Sequence, residues 1–207
     1  MKVYGTTSLR NIALISHQGA GKTSLAEALL FNSGAINRMG DVQQGSTVSD
    51  YDDEEIRRGI SLSTTSIPIE AAGLKLNFLD TPGYTDFQGE VKNALMAVDL
   101  ALVVIDASAG VEVGTELYWS FAQELNIPRV VVINKMDREM AQPGAVIDSL
   151  QDLFDDTRFV RMQLPIMEQG AFVGVADLMS GKAYRGPGET GSIPGDLADE
   201  AEAEKMA

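Results

Sequence analysis

Short apolar runs alternate along this chain with longer segments of mixed character. Residues 11–16 (NIALIS), 100–106 (LALVVID) and 129–133 (RVVVI) are apolar almost throughout, the pattern of strands covered on both faces. Residues 66–71 and 74–79 read as two further strands joined by a turn at Ala72-Gly73. Residues 23–32, 88–97, 115–125 and 145–154 read as helices. The order βαββαβαβα predicts an α/β domain, a mostly parallel sheet doubly wound by helices on both faces. The polar stretch 49–63, SDYDDEEIRRGISLS, is expected to be a mobile loop. Past Thr157 the pattern changes. Residues 165–186 alternate, with glycines at turns, and predict short antiparallel strands. Residues 186–197, GPGETGSIPGDL, read as a Gly/Pro loop, and 198–207 as the start of a helix. The expected organisation is a core at 1–157 and the first part of a second, α+β subdomain at 158–207, with the natural polypeptide continuing beyond.

Composition narrows the chemistry. The 207 residues suffice for one full domain and part of another. No apolar run approaches the ~18 residues of a membrane helix, and the N-terminus carries no apolar signal region. A cytoplasmic, membrane-free protein is therefore expected, and a monomer. The absence of cysteine excludes disulfides, thiolate zinc sites and thiol catalysis. The single histidine, His17, cannot build a histidine metal cluster or relay. A net charge of −14 argues against broad nucleic-acid binding. Much of the C-terminal acid (Glu189, Asp196, Asp199, Glu200, Glu202, Glu204) reads as a solvated helix face.

Three motifs, each after its own strand, carry candidate chemistry. The first is SHQGAGKT with the following serine: Ser16, His17, Gln18, Gly19, Ala20, Gly21, Lys22, Thr23 and Ser24. Amides of a Gly-rich turn and the helix N-terminus behind it converge on phosphate. Lys22 reaches the outer phosphates and the Thr23 hydroxyl binds Mg²⁺. The usual pattern is GxxxxGK[ST]; here Ser16 stands in its first position. The second motif is Asp80-Thr81-Pro82-Gly83. Asp80, at the carboxyl end of a strand, can hold Mg²⁺ through water, and the Gly83 amide can sense a γ-phosphate. A helix cap followed by a Pro-Gly turn is the plainer alternative. The third is Asn134, Lys135 and Asp137. The Asp137 carboxylate can accept two hydrogen bonds from guanine, a donor pair that adenine lacks. At ~1.5–3 kcal/mol per charged hydrogen bond, the preference reaches orders of magnitude. Lys135 lies along the base and braces the phosphate loop. Ser61 is a candidate second hydroxyl ligand of Mg²⁺, ordered while the γ-phosphate is present; an N-cap serine in an acidic loop is its alternative. The ligand expected from the three together is a guanine nucleotide, GTP or GDP, with Mg²⁺.

These motifs resemble the GTP-binding domain of translation elongation factor G, in particular its elongation factor G-like branch. The resemblance runs from Leu9 to the C-terminus. It covers SHQGAGKT, SGAINRMGDVQQGSTVSDYDDEEIRRGIS, LDTPGYTDFQGEV, DASAGVEVGTE, INKMDRE and QLPI…FVGVADLMSGKAY. RRGIS with DTPG is similar to translation factors rather than to the Ras type. The resemblance implies a P-loop NTPase fold with a Ras-like core and an inserted subdomain. It further implies a last core strand with a Ser-Ala guanine loop and four more domains, all outside this chain. It implies the ribosome as partner, with the sarcin–ricin loop engaging the site, and a catalytic set of Lys22, Gly83 and Tyr84. Three positions depart from the family pattern. Gly19 replaces an aspartate implicated in holding a monovalent cation, Ser61 replaces a threonine, and Tyr84 replaces the histidine of DTPGH. A phenol titrates near ~10 and stays neutral at pH 7, whereas imidazole can become a cation. If positioning of water suffices, Tyr84 serves; if charge is needed, its loss costs ~10²–10⁴ in rate. His17, by motif, is a structural residue of the phosphate loop. The resulting expectation is a GTP-hydrolysing translational GTPase of elongation or recycling. The alternatives are a poorly hydrolysing ribosome-associated switch and, third, a ribosomal protection protein.

Overall fold

A computed structural model describes residues 3–186 and 188–206. Met1 and Lys2, Pro187 of the Gly/Pro segment and Ala207 of the expected last helix lie outside the described residues. The chain divides into two compact units, Met1–Val146 and Ile147–Ala207. The division falls inside a helix, earlier than the 157/158 boundary expected from composition.

The first unit is built on a five-stranded sheet. The apolar runs form β1 (Leu9–Ile15), β3 (Leu74–Asp80), β4 (Leu100–Asp106) and β5 (Arg129–Asn134), all parallel. β2 (Thr65–Ala71) runs antiparallel to β3 at the edge. Pro68 is tolerated there because an edge strand needs no second row of ladder donors. Ala72 and Gly73 join β2 to β3, both at positive φ (49° and 78°), the conformation a two-residue hairpin turn requires. The strand order is β2-β3-β1-β4-β5. After β1 the chain moves to one side of the sheet and then returns to the other, and right-handed crossovers put helices on both faces.

α1 (Lys22–Asn32) covers one face: Ala26 and Leu30 pack with Ile12, Leu14, Ile67, Ile69 and Phe78. Ala13 and Ile15 alternate to the other face and are fully buried. That face belongs to α3 (Gln88–Leu95) and α4 (Val113–Glu124), through Val91, Leu95, Tyr118, Trp119 and Ala122. α5 (Pro143–Leu153) follows β5. The registers Leu14↔Asp80 and Asp106↔Asn134 align the carboxyl ends of the parallel strands. The loops after β1, β3 and β5, which hold the three motifs, therefore emerge at one edge of the sheet.

The segment expected to be a mobile loop instead contains a helix, α2 (Asp53–Arg58). Asp52 and Glu55 form a reciprocal capping box and Gly59 closes the helix in the left-handed conformation. Glu55 is buried and accepts hydrogen bonds from the amides of Leu62 (2.8 Å) and Ser63 (3.1 Å). Glu27 of α1, also buried, accepts from the amides of Gly40 (2.8 Å) and Val48 (2.5 Å). Carboxylates, not apolar periodicity, organise this stretch, so a hydrophobic pattern does not reveal it.

The second unit contains a four-stranded antiparallel sheet, β6 (Gln163–Glu168), β7 (Ala171–Asp177), β8 (Lys182–Arg185) and β9 (Glu189–Ser192), in that order. Leu164, Ile166, Ala176, Leu178 and Ala183 form its core with Ala201 of α6 (Ala198–Met206). β9 and a short 3-10 turn at Gly195–Leu197 lie within the segment expected to be a loop. All four residues of β9 are exposed, so it carries no apolar alternation to read.

Candidate functional site

The loop from Ser16 to Gly21 links β1 to α1. Gly21 stands at φ 97°, and a Cβ there would lie 2.5 Å from Asn134 Nδ2. Only glycine permits both the turn and that approach. Lys22 is buried, and its ammonium donates to Ser16 Oγ at 3.0 Å. Burial lowers the Lys22 pKa to about 8, while Asp80 and Asp50 act in the opposite direction. Ser24 is exposed on the first turn of α1.

Thr23, Ser61 and Asp80 come together beside Lys22. Thr23 Oγ1 donates to Asp80 Oδ2 at 2.9 Å and lies 3.3 Å from Ser61 Oγ. Ser61 Oγ donates to Asp50 Oδ1 at 2.7 Å. Burial raises Asp80 to about 6 against the pull of Lys22, and burial also raises Asp50. Asp80 Oδ1 is buried with no hydrogen-bond partner among the described residues, and so are the hydroxyls of Thr47 and Ser49. A buried, orphaned carboxylate oxygen beside two hydroxyls is a donor set of hard oxygens, which fits Mg²⁺. The motifs do not single out Asp50. It sits in an acidic run with no periodic signal, and only its burial distinguishes it.

The turn after β3 lies against the phosphate loop. Thr81 Oγ1 donates to the Leu14 carbonyl at 2.6 Å, tying the ends of β3 and β1. A Cβ on Gly83 would lie 2.7 Å from Gln18 Cα and 2.8 Å from Lys22 Nζ. Any side chain would push the turn off the loop. Tyr84 is half-buried. His17 faces α4: its Nδ1 accepts from the Gly114 amide at 3.2 Å, and its Nε2 lies 3.4 Å from Glu112 Oε1.

The third motif braces the same loop from the other side. Asn134 Nδ2 donates to the Ala20 carbonyl at 2.9 Å. Lys135, at a positive φ of 58°, donates to the Gly19 carbonyl and, at 2.8 Å, to Asp106 Oδ2. Burial would raise Asp106, but hydrogen bonds from Lys135 and Ser108 hold it well below the usual carboxylate range. Arg138 Nη1 adds a contact to Asp106 at 3.1 Å. The motifs do not single out Asp106 either; its place at the carboxyl end of β4, in register with Asn134, is the available signal. Asp137 is exposed at the end of this loop.

A doubly wound sheet with this loop and these three strand-end motifs defines a P-loop nucleotide-binding domain of the α/β class. The sequence pattern of the elongation factor Tu GTP binding domain matches residues 7–192. Elongation factor G 2 of Streptomyces coelicolor is 36% identical over 206 residues, 97% of this chain and 30% of that protein. The mitochondrial ribosome-releasing factor 2 of Anopheles gambiae is 40% identical over 172 residues, 83% of this chain and 23% of its own length. The crystal structure of ttk003000868 from Thermus thermophilus superposes with a TM-score of 0.88 at 37% identity, covering 95% of this chain and 30% of that one. The chain belongs to the elongation factor Tu GTP-binding domain family. It spans less than a third of the length of each of these relatives.

Proposed function

We propose that this domain binds GTP with Mg²⁺ and hydrolyses it within an elongation factor G-like translational GTPase acting on the ribosome in elongation or recycling. The observation that carries this is the convergence of Lys22, Thr23, Ser61 and Asp80 at the place where Gly83 touches the phosphate loop. Thr23 and Ser61 would hold Mg²⁺ through their hydroxyls and Asp80 through its carboxylate. When bound, the ion supplies charge neutralisation and orientation of the phosphate oxygens. Phosphoryl transfer asks the protein mainly for positioning and charge stabilisation. Lys22, already desolvated, presents an ammonium to the outer phosphates, and the loop amides from Gly19 to Thr23 face the same group. The Gly83 amide meets the γ-phosphate, and the Tyr84 phenol orients the attacking water. Asp137 reads the guanine edge, while Asn134 and Lys135 brace the phosphate loop. The protein works as a cytoplasmic monomer; among the described residues no helix is long and apolar enough to cross a membrane.

A second reading rests on Tyr84 and Gly19, the departures from the histidine and aspartate that the resemblance implies: the domain holds GTP as a switch and turns it over poorly. Both readings require guanine-nucleotide binding. Titration of the full-length protein with GTP, GDP and ATP, with Mg²⁺ and with chelator, tests this shared part. Tight GTP and GDP binding, Mg²⁺ dependence for GTP and weak ATP binding are expected. Equal affinity for ATP would overturn the assignment of Asp137.

A further inference from the structure

A fully buried phenol next to the turn after β3 belongs to α4. Tyr118 has no exposed surface, and its Oη donates to the Tyr84 carbonyl at 3.1 Å, with the Gly83 carbonyl at 3.5 Å. A buried hydroxyl costs free energy unless it is hydrogen-bonded; phenylalanine would fill the same space without that cost. The hydroxyl's one proton is committed to the Tyr84 carbonyl, in the turn that carries Gly83 and Tyr84. We propose that Tyr118 is a positioning residue that sets the Gly83–Tyr84 turn against the phosphate loop and so aims Tyr84 at the hydrolytic water. The role for Tyr84 rests on the functional reading above.

The geometry supports this from both sides of the turn. A carbonyl and the amide that follows it share one rigid peptide plane. Holding the Tyr84 carbonyl, which also accepts from the Phe87 amide at 3.1 Å, therefore orients the Tyr84–Thr85 peptide and the direction in which the chain leaves the site. On the opposite side Gly83 is pressed onto Gln18 and Lys22. The turn is thus held between α4 and the phosphate loop. Gly114 lies four residues before Tyr118, on the same face of α4, and its amide donates to His17 of the phosphate loop. One helix face therefore contacts both the loop that binds phosphate and the turn that faces it. Burial, with Asp86 nearby, pushes the Tyr118 pKa above its ordinary value, which keeps the donor proton in place at neutral pH.

The test is Tyr118→Phe in the full-length protein, which keeps the ring and removes only the hydroxyl. GTP affinity, read by equilibrium titration, is expected to stay within about twofold, because no nucleotide contact is removed. The single-turnover hydrolysis rate on ribosomes is expected to fall by up to about tenfold, the share of one neutral hydrogen bond. A purely structural role would weaken affinity and rate together or leave both unchanged, and either result would overturn the proposal. Hydrogen exchange of the amides from Gly83 to Phe87, with a non-hydrolysable GTP analogue bound, reports on the clamp without any turnover. Exchange there should quicken in the variant while the amides of Gly19 to Thr23 keep their protection. Unchanged exchange in the turn would sink the proposal even if the wild-type protein does not hydrolyse GTP, a result that by itself would remove only the enzymatic reading.

Discussion

Asp106 carries its charge almost fully enclosed, at 5% exposure, between Lys135 and Ser108. Its depressed pKa gives it a contribution to stability with a definite sign. The unfolded carboxylate binds a proton near 3.8, while the folded one resists protonation further down. The stabilisation is fully present above that value and is lost as pH falls through the unfolded value toward the lower folded one. Acid unfolding of the wild type and of Asp106→Asn should therefore converge below about pH 4, with the wild type more stable at pH 7. Curves that stay parallel down to pH 3 would contradict the ion pair. Asp80→Asn tests the hydroxyl–carboxylate cluster: Mg²⁺-dependent GTP affinity should fall by at least about tenfold, with Mg²⁺-independent GDP binding little changed. The difference between legible and illegible residues follows the same physics. Lys22, Thr23, Asp80, Asn134 and Asp137 stand in linear motifs and are readable. Asp50, Asp106 and Tyr118 act through burial and through partners distant in sequence, which no local pattern encodes.

At the scale of elements, α4 meets both the phosphate loop, through His17, and the turn after β3, through Tyr84. A Cβ on Gly114 would stand 2.7 Å from His17 Nδ1 and 3.0 Å from its Cα. The second contact is backbone, so the loop itself must move. Gly114→Ala should weaken GTP binding by about tenfold or more, in contrast to Tyr118→Phe, with helical content by circular dichroism unchanged. Wild-type affinity in that variant would show that the loop moves freely. α2 depends on its capping box, and Asp52→Ala should cost about 1 kcal/mol in denaturant unfolding of the nucleotide-free protein, provided the helix unfolds with the rest of its unit. The helices and strands with clean apolar patterns are legible from sequence to within a residue or two at most ends. α2 is not, because its buried face is a carboxylate, and β9 is not, because it is exposed on both sides.

For the molecule as a whole, the alternation of strands and helices makes the mostly parallel, doubly wound sheet of the first unit readable from the sequence, whereas the strand order β2-β3-β1-β4-β5 comes from the structure. The place where the second unit begins is not, since α5 crosses it without a break in composition. The proposed function has this site hydrolyse GTP with Tyr84, where the resemblance leads to an expectation of histidine. It is tested most directly by single-turnover GTP hydrolysis by the full-length protein, with and without ribosomes, beside Tyr84→His. Strong ribosome stimulation of the Tyr84 protein, comparable to that of the histidine variant, is predicted. Tight GTP binding with negligible turnover on ribosomes, restored by histidine, would contradict the claim and make this domain a switch that holds its nucleotide.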